Sequence, residues 1–179
     1  QIHEEIINMG LLEKDVVLGT ALVDMYIKCG ELEKAKKVLI ELPVRDVVTW
    51  NALVSGYVQH NQGHEALNSY ERMQREGLSP NEVTFLSALR SCSHSGLLEL
   101  SEFLFGIMTR KYDISPNLEH NTCMVTTFGS AGYFEKAISL IKRVSSSDYT
   151  IVWFALLNGC RKWGNMRLGK LAFDWTVHH

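Results

Sequence analysis

The chain lacks the cysteine spacing that small secreted domains and zinc sites require. Its four cysteines are Cys29, Cys92, Cys123 and Cys160, and no two of them form a Cys-x-x-Cys pair. This spacing fits neither a disulfide-dense domain nor a zinc knuckle. We therefore expect free thiols, no metal site and no cofactor.

The chain also lacks a long apolar segment and an excess of charge of one sign. Its longest uninterrupted apolar run, Ile151 to Leu157, has 7 residues, whereas a membrane helix needs roughly 20. With 18 basic and 20 acidic residues, the net charge is -2. This balance excludes a polybasic protein that binds by bulk charge, and we expect no membrane partner.

Signals for β-strands and for a targeting segment are missing as well. Neither period-two alternation nor a hairpin-turn dipeptide occurs between the amphipathic segments. The first residue is Gln1, and no Arg- and Ser-rich, acid-poor leader follows it. We therefore expect an excerpt of a longer protein.

What the chain does contain is an internal repeat. A residue suited to a helix end recurs every 31 to 36 positions, and five residues after each one comes a small side chain. The recurring residues are Gly30, Asn61, Gly96, Gly132 and Gly164, and the small ones are Ala35, Ala66, Ser101, Ala137 and Gly169.

Each unit is predicted to form two helices joined by a tight turn. From Trp50 to Val58 the apolar residues follow the i, i+3, i+4, i+7 spacing of one helix face. We predict Thr49 as the N-cap of this helix, with Thr84 in the equivalent place one unit later. Asn61 ends the helix in the left-handed conformation.

A helical hairpin of this kind cannot bury both apolar faces alone, so neighbouring units must stack. We predict a single all-α domain, a right-handed α-solenoid of helix-turn-helix repeats. Its predicted parts are a partial unit 1–15, units 16–46, 47–81, 82–117 and 118–149, and a truncated extension-type unit 150–179.

The unit from Val47 to Asn81 reads VVTWNALVSGYVQHNQGHEALNSYERMQREGLSPN and resembles the 35-residue pentatricopeptide repeat (PPR). The mixed unit lengths of 31, 35, 36 and 32 residues are similar to those of the plant class with alternating long and short repeats. TIVWFALLNGCRKWGNMRLGK, from Thr150 onward, resembles the extension motif that follows the last repeats of that class.

The resemblance implies binding of single-stranded RNA, one base per repeat, read chiefly by the fifth and last residues of each unit. In unit 16–46 these are Thr20 and Asp46, a pair that favours guanine in the family. In unit 47–81 they are Asn51 and Asn81, which favour cytosine over uracil. An amide both donates and accepts hydrogen bonds, whereas a carboxylate only accepts them.

The same resemblance assigns further residues of the binding surface. The second residue of a unit would sandwich the base, which here means Val17, Val48 and Val83. Asn117 closes unit 82–117, and Thr122 is the fifth residue of unit 118–149.

The later units depart from the family pattern. Leu86 stands at the fifth place of unit 82–117 and cannot hydrogen-bond a base edge. In unit 118–149 Glu119 replaces the sandwiching valine and Tyr149 closes the unit, with Asp148 one place earlier. Phe154 takes the fifth place of the extension unit.

Several of these residues also have a purely structural interpretation. Thr20 and Asp46 are residue types that cap helices, Asn51 could be an exposed polar residue, and the valines could belong to the core. Lys28, Arg161 and Lys162 could contact phosphate or simply be solvated.

The resemblance also implies an organellar role, in a mitochondrion or chloroplast, in RNA editing or transcript processing, with editing cofactor proteins as further partners. The zinc deaminase that often follows such repeats needs a His-x-Glu and a Pro-Cys-x-x-Cys. His3-Glu4-Glu5 fits the first pattern formally, but no Pro-Cys-x-x-Cys occurs. We predict no enzyme and no small-molecule substrate. The alternative is a protein-binding scaffold of the tetratricopeptide type.

Overall fold

The computed structural model describes residues 16–144 and 150–178. These residues form helices joined by short turns, and none of them belongs to a β-strand. The helices are α1 (Val16–Lys28), α2 (Leu32–Glu41), α3 (Val47–Gln59), α4 (Gly63–Arg75), α5 (Glu82–Ser95), α6 (Leu98–Arg110), α7 (Leu118–Ala131), α8 (Phe134–Ile141), α9 (Thr150–Trp163) and α10 (Met166–His178).

The helices follow one another in pairs, and a residue with positive φ separates the two members of each pair. The five residues predicted as suited to a helix end all adopt this left-handed conformation, which confirms the predicted positions of the turns. Asn61 has a φ of 58°, and the four glycines range from 64° at Gly164 to 83° at Gly132. Glycine and asparagine tolerate this region best because other side chains crowd the following carbonyl group there.

The prediction that Thr49 and Thr84 are N-caps is wrong. The N-cap of α3 is Asp46, whose carboxylate accepts a hydrogen bond from the Thr49 amide at 2.8 Å. Thr84 is likewise inside α5, and its amide donates to Asn81 Oδ1 at 3.1 Å. An aspartate or asparagine in extended conformation just before the helix satisfies the first free amides, so the cap lies three residues earlier.

The chain divides into two compact units, Gln1–Ser91 and Cys92–His179. In the first, α1 packs on α2 and α3, and α3 packs on α4. Its core contains Leu39, Trp50, Leu53, Tyr57 and Met73, each at most 1% exposed. Burying an apolar side chain of this size contributes about 1.5–3 kcal/mol, so this shared core holds successive pairs together.

In the second unit, α7 packs on α6, α8 and α9, and α9 packs on α10. The contact between α7 and α9 is close because two glycines face each other. A Cβ added to Gly159 would lie 2.7 Å from the backbone of Gly129. Met124, Val125 and Leu156 fill the surrounding core at 0 or 1% exposure.

The first helices of the five pairs begin at Val16, Val47, Glu82, Leu118 and Thr150. They are also the residues that were predicted from the sequence as the first residues of the units. The partial unit 1–15 and the end of unit 118–149, with Asp148 and Tyr149, lie outside the described residues. The single-domain organisation stays a prediction.

Candidate nucleic-acid interface

The predicted last residue of a unit is the N-cap of the next unit's first helix. Asp46 caps α3, and Asn117 caps α7 by accepting from the His120 amide at 3.0 Å. Asn81 stands in the same place before α5, where it accepts from the Thr84 amide. The backbone of the following helix therefore holds each of these polar side chains in position.

The predicted pair of unit 47–81 is joined by direct hydrogen bonds. Asn51 Nδ2 donates to Asn81 Oδ1 at 3.0 Å, and Asn51 Oδ1 accepts from the Thr84 hydroxyl at 2.7 Å. Asn51 is only 7% exposed, whereas Asn81 is exposed. A molecule approaching this pair therefore meets Asn81 before Asn51.

The predicted pair of unit 16–46 is joined through a third side chain. The Thr49 hydroxyl donates to Asp46 Oδ1 at 2.7 Å and lies 2.9 Å from the Thr20 hydroxyl. Thr49 is fully buried, while Thr20 and Asp46 are partly exposed. The structure thus brings Thr20 and Asp46 to one place, as it does Asn51 and Asn81.

The hydrogen bonds at Asp46 also set its protonation state. Burial alone would raise the pKa of the Asp46 carboxyl, but the hydrogen bonds from the Thr49 amide, the Thr49 hydroxyl and the Val48 amide lower it below 3.8 overall. Asp46 is therefore a carboxylate at neutral pH. It can accept hydrogen bonds and cannot donate one.

The other predicted residues are not brought together in this way. Asn117 forms a capping box with the buried His120, and its unit's fifth residue, Leu86, is half-buried and apolar. The Thr122 hydroxyl donates to the Leu118 carbonyl of its own helix at 2.8 Å. Its predicted partner, Tyr149, lies outside the described residues.

The three valines predicted to sandwich a base lie on the surface and not in the core. Val17 is 76% exposed, Val48 63% and Val83 51%. Each lies in the first turn of α1, α3 or α5, three residues before the fifth residue of its unit. Exposed valines beside polar pairs form a surface with both apolar and hydrogen-bonding parts.

Two of the three predicted phosphate-binding residues are engaged within the protein. Lys28 Nζ lies 2.6 Å from the Asp24 carboxylate, and this hydrogen bond raises the Lys28 pKa. Lys162 Nζ donates to the Ser130 carbonyl at 2.9 Å. Both lysines are exposed.

The roles of Thr49 and Thr84, which connect one unit to the next, were not predicted from the sequence. The sequence does contain a pattern that indicates these bonds, because each threonine follows Asp46 or Asn81 by three residues, which is the spacing of a capping box. In the second box the bonds are reciprocal, since the Asn81 amide donates to Thr84 Oγ1 at 3.0 Å.

Within residues 16–144 and 150–178, no three His, Cys, Asp or Glu side chains come close enough to hold a metal ion. No helix in the same part of the chain combines the length and apolar character needed to cross a membrane.

Models of pentatricopeptide repeats match most of the chain. The PPR repeat family model matches residues 45–94, and the PPR repeat model matches residues 20–47, 83–112 and 122–149. Together the two models extend over residues 20–112 and 122–149. The matches overlap the four complete helix pairs that precede α9.

Curated relatives from Arabidopsis thaliana agree with these models. One pentatricopeptide repeat-containing protein is 38% identical over 93% of this chain and 23% of its own length. A second, named as mitochondrial, is 39% identical over 96% of this chain and 26% of its own length. The chain spans about a quarter of the length of these relatives.

Solved structures share the fold. The crystal structure of the pentatricopeptide repeat protein PPR10 from maize aligns with 96% of this chain and 27% of PPR10, with a TM-score of 0.73 and 16% identity. A crystal structure of PPR10 in complex with an 18-nt psaJ RNA element covers 98% of this chain and 28% of PPR10, with a TM-score of 0.68. The all-α solenoid of helical repeats is thereby confirmed. With the repeat models and the plant relatives, it follows that the chain belongs to the PPR repeat family.

Proposed function

We propose that the chain binds single-stranded RNA sequence-specifically, one base per repeat, as part of a plant organellar factor for RNA editing or transcript processing. Membership of the PPR repeat family supports this proposal, as does the complex of the structurally similar PPR10 with an RNA element. A relative named as mitochondrial supports the organellar location.

The observation that carries the proposal is the pairing of the fifth and last residues in units 16–46 and 47–81. Asn51 and Asn81 are 3.0 Å apart at their polar atoms, and Thr49 bridges Thr20 and Asp46. Two adjacent polar side chains can contact two atoms on one base edge. Single-stranded RNA offers such edges because its bases are unstacked.

The exposed valines supply the apolar part of the proposed contact. Val17, Val48 and Val83 lie one unit apart, so a base placed at one pair has a valine of its own unit and one of the next unit nearby. Stacking on apolar or aromatic side chains contributes roughly 1–3 kcal/mol per base and does not depend on base identity. The polar pair would then supply the specificity.

We propose binding and not catalysis as the activity of this chain. The pairs present amides, hydroxyls and one carboxylate, which suit recognition. Single-stranded RNA and editing cofactor proteins are the proposed partners, and we propose neither a membrane nor a small-molecule substrate.

The replacement Asn81→Asp tests the base-reading role. Cytosine presents an acceptor at N3, which an amide hydrogen can reach, whereas uracil presents an N–H there, which needs an acceptor. The variant should therefore prefer uracil over cytosine at the nucleotide bound by unit 47–81. Because hydrogen bonds to charged groups contribute about 1.5–3 kcal/mol, the ratio of the two dissociation constants should change by at least about tenfold.

The matched control is Asn68→Asp, which makes the same chemical change on the exposed surface of α4. It should leave the cytosine-to-uracil ratio unchanged. Aspartate and asparagine cap helices about equally well, and an added negative charge is favourable at a helix N-terminus, so Asn81→Asp should keep or slightly raise the melting temperature. A folded Asn81→Asp variant with the base preference of the original chain would contradict the proposal.

A second candidate function is protein binding. It is favoured by the exposed apolar side chains of α9 and α10, among them Phe154 at 50%, Met166 at 83% and Phe173 at 54% exposure. An exposed apolar surface of this kind is typical of a protein-interaction site. The two functions are distinguished by Asn81→Asp, because a purely protein-binding scaffold would show no base preference to change.

A further inference from the structure

We propose that the threonine hydroxyl at the third place of units 47–81 and 82–117 is a positioning group that sets which hydrogen-bonding groups the base-reading pair of the preceding unit presents to RNA. Thr84 has this role for Asn51 and Asn81, and Thr49 has it for Thr20 and Asp46. This inference rests on the proposed RNA binding. It adds a third, buried residue from the neighbouring repeat to each two-residue reader.

In unit 47–81 the orientation of both amides follows from one unambiguous donor. The Thr84 backbone N–H donates to Asn81, so the atom it meets is the oxygen Oδ1. That oxygen also accepts from Asn51, so the Asn51 atom facing it is the nitrogen. The Thr84 hydroxyl has one hydrogen and lies 2.7 Å from Asn51 Oδ1 and 3.0 Å from Asn81 Oδ1, so it donates along the shorter contact, to Asn51.

The oxygens of this pair consequently face donors of the protein, and the amide hydrogens are the groups left to point away from it. Asn81 Oδ1 accepts from the Thr84 amide and from Asn51, and Asn51 Oδ1 accepts from Thr84. Each Asn side chain carries two amide hydrogens, of which Asn51 uses one in the bond to Asn81. The pair therefore presents donors, which match the N3 and O2 acceptors of cytosine.

For unit 16–46 the corresponding threonine, Thr49, is bonded to a pair in which Asp46 presents acceptors and not donors. Asp46 is ionised and only accepts, so the single hydrogen of the Thr49 hydroxyl lies on the 2.7 Å bond to Asp46. The same Thr49 hydroxyl lies 2.9 Å from the Thr20 hydroxyl and so holds Thr20 beside Asp46. The Asp46 carboxylate presents acceptors, which match the N1–H and N2–H donors of guanine.

Among the residues that the structure describes, only units 16–46 and 47–81 have a polar residue at both the fifth and the last place, and only these two pairs contact such a threonine. The third place after unit 82–117 is His120, and the fifth residue there is Leu86, which forms no such bond. The third place after unit 118–149 is the apolar Val152, and the Thr122 hydroxyl bonds to its own helix.

The test is Thr84→Val, which removes the hydroxyl and keeps a side chain of similar shape. Loss of one hydrogen bond should lower the cytosine-over-uracil ratio of affinities about 2- to 12-fold at the nucleotide bound by unit 47–81. The guanine preference at the adjacent nucleotide should not change. Thr84→Ser, which keeps the hydroxyl, should restore the ratio.

The matched control is Ser87→Ala, one turn further along α5. Ser87 is also buried, and its hydroxyl lies 2.8 Å from that of Ser55 in α3. This variant removes a hydroxyl contact between the same two helices outside the reading pair. It should leave both base preferences unchanged.

Thr49→Val is the second variant, and it makes the test independent of how well Thr84→Val folds. Removing Thr49 Oγ1 takes away the group that lies between the Thr20 hydroxyl and Asp46 Oδ1, so the pair is no longer held in the arrangement that accepts hydrogen bonds from guanine. The guanine-over-adenine ratio should fall, again by about 2- to 12-fold. Circular dichroism of each variant establishes that the helices are intact.

The outcomes separate this inference from the proposed function. If the original chain shows no base preference at either nucleotide, the proposed function fails, and the inference fails with it. If the original chain discriminates and both folded valine variants keep their ratios, only the inference is overturned. A loss of preference in Ser87→Ala equal to that in Thr84→Val would also overturn it.

Discussion

Asp46 has two roles that the same chemistry supports. Its carboxylate caps α3 through the Thr49 amide and hydroxyl, and under our proposal it also accepts hydrogen bonds from guanine. A helix N-terminus favours a negative charge because the first amides carry partial positive charge. The cap therefore places an ionised acceptor at the proposed binding surface.

Comparing the chain with its Asp46→Asn variant tests the charge at this cap. Asparagine keeps the cap, so only the interaction of the charge is lost, about 0.3–1 kcal/mol. The folded pKa of Asp46 lies below its ordinary value, so this stabilisation is present above the unfolded pKa and is lost as pH falls through the folded pKa.

Urea unfolding of both proteins at pH 7 and at pH 3 and below measures this difference. The original chain should be more stable at pH 7, and the two unfolding free energies should converge as the pH falls. A stability difference that is constant over this range would contradict the assignment of the pKa.

At the residue scale, the sequence was enough to propose which polar side chains read bases but not how these side chains are held. Asn51 and Asn81 were predicted from their places in the unit. Their bonds to Thr84 were not, because a threonine near a helix start satisfies the N-cap pattern as well as the third helical position. The hydrogen bonds from the Thr49 and Thr84 amides to the side chains of Asp46 and Asn81 distinguish the two.

At the scale of helices, Gly159 determines how closely α9 approaches α7. A Cβ there would lie 2.7 Å from the backbone of Gly129, which cannot move aside without shifting a helix. Gly159→Ala should therefore destabilise the second unit by about 1–3 kcal/mol, as overpacking does. Thermal unfolding followed by circular dichroism measures the effect.

The matched substitution is Gly106→Ala in α6. The Cβ added there would meet only the flexible end of the Arg110 side chain. Alanine is the better helix former by about 1 kcal/mol, so this variant should be as stable as the original chain or more stable. Equal destabilisation by both alanines would show that the close approach of α7 and α9 is not what constrains Gly159.

The helices themselves were largely predictable because their ends have strong local signals. Gly30, Asn61 and Gly132 each end a helix in the left-handed conformation, as their residue types indicate. The contact between Gly129 and Gly159 was not predictable, because it depends on two residues that are distant in sequence. The exposure of Val17, Val48 and Val83 was also undecided from the sequence, since a valine early in a helix fits core and surface equally.

At the scale of the whole molecule, the internal repeat made the fold predictable from the sequence. The strength of the proposed RNA binding depends on how many units contact a base. The period of 31 to 36 residues indicated stacked helical pairs, and the family models and solved structures agree. With a net charge of -2, the chain gains little from bulk attraction to phosphate.

Under our proposal only two units read bases, which limits the expected affinity. At roughly 1–3 kcal/mol per stacked base, they provide at most about 6 kcal/mol, which corresponds to a dissociation constant on the order of 50 µM or weaker. Nanomolar affinity for RNA of arbitrary sequence would contradict this account.

The most direct measurement is an NMR titration that follows the side-chain amide signals of Asn51 and Asn81. The chain is titrated with a short single-stranded RNA carrying guanine then cytosine, and separately with the transposed RNA and with DNA. We predict that both amide signals shift and that the guanine–cytosine order binds most tightly. Unshifted amides in the presence of bound RNA, or equal affinity for the two orders, would show that these residues do not read bases.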